Sequence, residues 1–419
     1  MADGLLTRRE PRRRVLPKPL AVRWRLMPWW LKVLFVYAAA RITTTILMLA
    51  LATVQGPNAW TGAHPPYGAF ANIWDGRWYE IIALSGYPTS LPVTDGGHIG
   101  ENAWAFLPVY PFLVRGLMVL TGLPWEVLAI GVSVVAGFCA CLAFHRLLLP
   151  RIGASAALFA VALFAFAPTS PLFQVAYAES LHLLMLVLAL LLLSQRRYGL
   201  LAAVTAVMAF TRPSGLAFAL TLGLYFAYRY VHRRTDPFAA RERIEVAAVT
   251  AVSLIAGFAW LVLAGVVTGD WSAYTDTELA WRMPYIGYVE LVPFTAWFQG
   301  AQWWLAFIGV PDAAAWVLGS LGIVALIAAF AGMLFLPAVR RIGVESRLWL
   351  ASYGLYLLAV FFPQSSTFRL LTPMFPLLGA IAQPRSRLYR GALLVLSVVL
   401  QAGWLLLCWA IGGYDWSPP

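Results

Sequence analysis

Residues 31–54 read LKVLFVYAAARITTTILMLALATV, with charge only at Lys32 and Arg41. At 1.5 Å per residue a helix of this length rises about 36 Å, more than the ~30 Å hydrocarbon core of a bilayer. The run is expected to stay in the membrane as a first anchor, so the basic stretch Arg8 to Arg25 before it does not read as the head of a cleaved signal peptide. Further along, the same signal recurs: 61% of the 419 residues are hydrophobic and 11% are charged, and mean hydropathy is +0.75. The class this defines is an all-α, polytopic integral membrane protein. Cys139, Cys141 and Cys408 lie inside apolar runs. The spacing of the first two turns them to different sides of a helix, which proposes neither a disulfide frame nor a zinc site.

Length and hydropathy place about eleven transmembrane helices, at roughly 31–54, 127–149, 154–167, 181–193, 200–210, 216–230, 246–267, 313–339, 348–362, 370–382 and 391–411. A cytoplasmic N-terminus gathers Arg8 to Arg14, Arg196-Arg197, Arg229 to Arg243, Arg340-Arg341 and Arg385 to Arg390 on one side. The positive-inside rule requires that, provided residues 106–120 lie on the outer surface instead of crossing. The expected organisation is a basic cytoplasmic arm (1–30), one transmembrane domain (31–411) with outer loops at about 55–126 and 268–312, and an outer tail (412–419). The net charge of +12 is then topological, and no nucleic-acid partner is expected. Six arginines break the pattern: Arg41, Arg77, Arg115, Arg212, Arg282 and Arg369. An arginine in or just beyond the membrane on the far side is costly unless it pairs with an acid or faces an anionic ligand such as a lipid phosphate. Snorkelling or pairing with a nearby carboxylate is an equal alternative for Arg115 and Arg282.

The outer loops carry most of the acids, among them Asp75, Glu80, Asp95, Glu101, Glu179, Asp276, Glu278 and Glu290, and both long loops are dense in Trp and Tyr. Such aromatics favour the membrane interface and also stack on sugar faces. No internal repeat is evident, which weighs against a transporter built from duplicated halves. Asp276-Thr277-Glu278 has the outline of a metal-holding Asp-x-Asp signature, but on the outer side it reads as a solvated acidic loop. The histidines are scattered singly, so no metal and no cofactor are expected. The densest charged and aromatic cluster is Trp74-Asp75-Gly76-Arg77-Trp78-Tyr79, in the loop directly after the first span.

Four stretches, in chain order, carry a resemblance. The first is that cluster with Gly86-Tyr87-Pro88 and Ala105-Phe106-Leu107-Pro108-Val109-Tyr110-Pro111; the second is Pro168-Thr169-Ser170 with Tyr177-Ala178-Glu179-Ser180-Leu181. The third is Thr211-Arg212-Pro213-Ser214-Gly215, and the fourth is Phe368-Arg369-Leu370 through Pro376. Together they resemble the PIG-V family, the second mannosyltransferase of GPI-anchor assembly, and its bacterial relatives. The chain departs from the family at Leu107 and Val109 and lacks the Asn of the arginine turn.

The resemblance implies a GT-C-like membrane glycosyltransferase that takes a sugar, mannose in that family, from a polyprenyl-phosphate donor. The acceptor is a lipid or glycan and the reaction is on the non-cytoplasmic side; separately, the Ala-, Arg- and Trp-rich composition points to a bacterium, hence to its plasma membrane. Such a donor brings its own leaving group, so catalysis needs a carboxylate to take the acceptor's proton and cations to hold the departing phosphate. Asp75 is then the general base, although Asp-Gly is also a common turn pair. Glu179 is the second catalytic candidate, or else the partner of a buried arginine. Arg369 and Arg212 are the expected donor-phosphate ligands. Arg41, about 18 Å into the first span, faces either an internal acid or a donor cavity, and Arg77 shares the Asp75 loop. Trp74, Trp78, Tyr79, Tyr110, Tyr177 and Gln364 are the expected sugar or acceptor contacts. Two other classes stay open: a lipid-linked-sugar flippase or transporter, and a non-catalytic assembly subunit.

Overall fold

The computed structural model describes residues 19–412 and 418–419; most of the expected basic arm and of the expected outer tail lie outside the described residues. After α1 (Pro19–Leu26), the first expected span folds as α2 (Trp29–Val54). The segment after it holds α3 (Tyr67–Phe70), α4 (Asp75–Ser85) and α5 (Val109–Thr121). Next come α6 (Trp125–Ala165), α7 (Glu179–Ser194), α8 (Tyr198–Ala209), α9 (Gly215–Val231) and α10 (Ala240–Thr268). The second long connection carries α11 (Ala273–Ala280), α12 (Met283–Ile286) and α13 (Ala296–Phe307). The chain ends with α14 (Asp312–Met333), α15 (Pro337–Arg340), α16 (Val344–Val360), α17 (Thr367–Leu370), α18 (Leu377–Ile381) and α19 (Arg387–Trp409). Helices α2, α6, α10, α14 and α19 are long and apolar enough to cross a membrane, and the shorter apolar α7, α8 and α9 pack among them.

The two spans expected at 127–149 and 154–167 are both limbs of α6. Gly153, at φ 77°, breaks the helix between them. Phe144 and Phe164 stand 5.4 Å apart, centroid to centroid, whereas twenty residues of continuous helix would separate them by about 30 Å. The chain therefore doubles back at Gly153, and the two limbs share a core with Phe173 and Phe375. The expected span 370–382 is not one helix. Pro373 and Pro376 remove donors from its middle, leaving α17, a single 3₁₀ turn and α18. Within the expected outer loop 268–312, α13 packs along α14; hydropathy passed over it because Gln299 and Gln302 interrupt its apolar run. Helix α5, 13 residues long, is too short to cross and leaves Phe112, Val119 and Leu120 exposed.

Close approach of α9 and α10 sets the turn that carries Arg212. A Cβ on Gly215 would lie 2.8 Å from the Cα of Gly257, and one on Gly257 would lie 2.9 Å from the amide nitrogen of Leu216. Backbone atoms cannot step aside as a side-chain tip can, so glycine on both helices permits the contact. Gly215→Ala is expected to destabilise the protein by roughly 1–3 kcal/mol, the usual cost of overpacking. A denaturant titration in detergent checks it, with an unchanged midpoint as the contrary result.

Candidate active site

Two carboxylates begin helices. Asp75 is the first residue of α4 and Glu179 the first of α7, so each sits where backbone N–H groups and the helix dipole favour negative charge. The turn into α4 is strained: Trp74 has φ 57°, a conformation rare for a bulky residue. Its indole Nε1 donates to the Cys408 carbonyl at 2.8 Å and its ring packs on Trp60, which holds the turn in place. Gly76 follows because a Cβ there would come within 2.9 Å of Asn72 Oδ1 and 3.4 Å of Ala176. The Trp-Asp-Gly sequence thus presses α4 against the chain leading into α7 and directs Asp75 inward.

Two arginines meet these acids. Arg212 Nη1 lies 2.8 Å from Glu179 Oε1 and 3.9 Å from Asp75 Oδ2. Arg369 Nη1 donates to Asp75 Oδ2, and its Nε stands 3.6 Å from Glu179 Oε1. Arg369 also lies over the Tyr177 ring, 5.8 Å from its centroid. The result is an alternating square of two negative and two positive groups, largely withdrawn from solvent. Burial pushes the Asp75 carboxyl above its ordinary range, Arg369 pulls it down, and Glu179 pushes it up again. Each of the four quoted sequence stretches supplies one corner.

The square lines a cavity of about 320 Å³. Tyr79, one turn after Asp75, contributes to its wall, as do Phe106, Tyr353, Tyr356, Trp281 and Gln364. His182, one turn after Glu179, shares a 2.9 Å hydrogen bond with Ser214. Three further groups come from the second long connection: Tyr274, Glu278 and Arg282 occupy positions i, i+4 and i+8. Their common helical spacing was the available sequence signal, and reading the segment as a solvated loop concealed it. The correction is physical. Thr277 is buried and receives a 2.7 Å hydrogen bond from Asn102, while Asp276 accepts from Ser272, so α11 is docked and Glu278 faces the cavity.

Glu278 is exposed within the cavity it lines. Burial pushes its carboxyl up to about 7, against the Tyr274 hydrogen bond and the Arg212 charge that pull it down. A carboxyl raised in the folded state favours folding while protonated, and that contribution is lost as pH climbs from the ordinary carboxylate range through about 7. Glu278→Gln should therefore raise the melting temperature relative to wild type at pH 8 and change it little at pH 5. An equal shift at both pH values would contradict the assignment.

The other expected site residues are placed as follows. Gln364 and Tyr79 line the cavity; Arg41, Arg77, Trp74, Trp78, Tyr110 and Tyr177 do not. Arg41 faces neither an acid nor this cavity. Its guanidinium donates to the carbonyls of Ser170 and Ala165 at 2.7 Å each and to Gln174 Oε1 at 3.1 Å, beside a separate apolar recess. Arg77 is paired with Glu80 at 3.0 Å. Tyr110 and Tyr177 are fully buried, with hydroxyls donating to the carbonyls of Ala129 and Ile73, so neither offers a ring face to a sugar. Trp78 stacks on Phe106, behind the wall.

Fold and site define a polytopic α-helical membrane protein whose helix starts and inter-helical turns build a charged cavity at one end of the bundle. No protein-family model matches the sequence, and no curated protein matches it. Among solved structures, ArnT from Cupriavidus metallidurans bound to undecaprenyl phosphate is similar, with a TM-score of 0.50 and 16% identity over 89% of this chain and 64% of that one. The apo oligosaccharyltransferase of Archaeoglobus fulgidus gives a TM-score of 0.47 and 14% identity, over 95% of this chain and 57% of that one. The chain thus spans less than two thirds of either. The likeness to ArnT fixes the fold as GT-C-like.

Proposed function

We propose that the protein is a membrane glycosyltransferase that moves a sugar, mannose in the first instance, from a polyprenyl-phosphate donor to a hydroxyl of a lipid or glycan acceptor. The observation that carries this reading is the square of Asp75, Glu179, Arg212 and Arg369 on the cavity wall. ArnT, whose fold the chain shares, was solved with undecaprenyl phosphate, which supports a lipid-phosphate donor. The PIG-V resemblance supports mannose, because its four ordered stretches are those that furnish the four charges. The positive-inside pattern supports a reaction on the non-cytoplasmic side, and the Ala-, Arg- and Trp-rich composition supports a bacterial plasma membrane.

In the proposed step Asp75 takes the proton from the acceptor hydroxyl as its oxygen forms a bond to the sugar's anomeric carbon. The bond from that carbon to the phosphate oxygen breaks, and the electron pair leaves with the phosphate. Arg212 and Arg369 stabilise the charge gathering there. Glu179 keeps both guanidiniums aimed. Direct displacement inverts the anomeric centre.

The test is incubation of the purified protein with radiolabelled polyprenyl-phosphate mannose and lipid extract of the source organism, with and without EDTA. A labelled glycolipid in both arms is the expected result. Label crossing a liposome membrane without a new glycosidic bond would instead establish a transporter.

A further inference from the structure

Three arginines line the cavity, and two of them are spoken for by Asp75 and Glu179. Arg282 is different. It is 5% exposed, and no carboxylate stands within ion-pair distance of it among the described residues. One terminal nitrogen, Nη2, donates to the Val289 carbonyl at 2.7 Å, while its buried Nε has no partner. Glu278, one turn earlier, is engaged with Tyr274 and does not reach it. A guanidinium does not give up its proton in a protein, so this charge stays in place uncompensated. Such an arrangement is unfavourable in the empty site and becomes favourable when an anion arrives.

We propose that Arg282 is the anchoring cation for a phosphate ester in the cavity, the phosphate of the lipid carrier. The inference rests on reading the cavity as a donor site. It deepens that reading by separating two tasks. Arg212 and Arg369 are neutralised pairwise by Asp75 and Glu179, so they bring little net attraction to a distant anion. Arg282 brings a full charge, a fork of donors suited to phosphate oxygens, and one Nε–H with nothing else to bond. Inorganic phosphate offers the same oxygens as the lipid headgroup, and the two sources are separated by the experiment.

Binding of radiolabelled undecaprenyl phosphate to the purified full chain in detergent tests the inference without requiring turnover. Arg282→Gln should weaken binding roughly tenfold or more, the range expected for hydrogen bonds to a charged group. Arg282→Lys, which keeps the charge and loses the fork, should fall between Gln and wild type. Arg115→Gln, exposed on α5, is the control and should bind as wild type. Uncharged undecaprenol should not compete. Competition by millimolar inorganic phosphate would show that the phosphate group itself is recognised, and competition only by the lipid would show that the chain is needed as well. Equal affinity for wild type and Arg282→Gln, or no binding by wild type, overturns the inference. Loss of binding in a well-folded Arg282→Gln alongside a wild type that transfers no sugar would keep the anion site and remove the proposed reaction.

Discussion

Asp75→Asn should lower sugar transfer by a factor of about 10²–10⁴, the typical contribution of a positioned proton acceptor. The amide has nearly the shape of the carboxylate but cannot take up the acceptor's proton. It also subtracts one negative charge from the square, leaving Arg212 and Arg369 facing Glu179 alone. The donor's phosphate then meets a more positive wall, so the KM for donor should stay level or fall while kcat collapses. A split of this kind distinguishes a lost base from a lost binding contact, which would raise KM instead. Unfolding, which removes active sites without changing KM, is separated by the melting temperature of the variant, expected to stay close to that of wild type. Steady-state kinetics on the purified variant, with melting temperature recorded beside them, decide the matter: a kcat within tenfold of wild type would remove Asp75 from proton transfer.

How far this site was legible in the chain follows from what each signal measures. Local motifs reported local geometry well. Asp75, Glu179, Arg212 and Arg369 are each fixed by a glycine, a proline or a helix start within two residues, and all four were nameable before any fold was known. Charge bookkeeping found Arg282 as one of six anomalies but gave no reason to prefer it over Arg115, because pairing is a three-dimensional property. The same method misplaced Arg41. A buried arginine was expected to need an acid or a ligand, and its terminal nitrogens donate instead to the carbonyls of Ala165, at the end of α6, and Ser170 and to Gln174 Oε1, while its Nε has no partner. Aromatics were the least informative. Tyr79, Tyr110 and Tyr177 all belong to the expected sugar contacts, yet only the first reaches the cavity, since type alone does not say which face of a turn a ring occupies. Hydropathy found the long helices and the doubled-back α6, and failed where proline or glutamine broke a run that tertiary packing completes.

Glu179→Ala tests the square as a structural unit and should be among the most damaging single changes in the chain. It leaves Arg212 without its 2.8 Å partner and Arg369 with Asp75 alone, so two buried cations share one acid. Removing one member of a buried ion pair typically costs about 3–5 kcal/mol, because the abandoned charge keeps its desolvation penalty. Arg212→Met removes the other member and should cost a similar amount, with the carboxylate now unpaired. The double variant has neither orphan. Its loss should be smaller than the sum of the two by roughly 1–3 kcal/mol, the size of coupling seen between residues in one network. Denaturant midpoints of the four proteins in one detergent give the cycle directly. Additive losses would mean that Glu179 and Arg212 do not stabilise each other, and the square would then be an arrangement set by the backbone turns and held without the pairing of its charges.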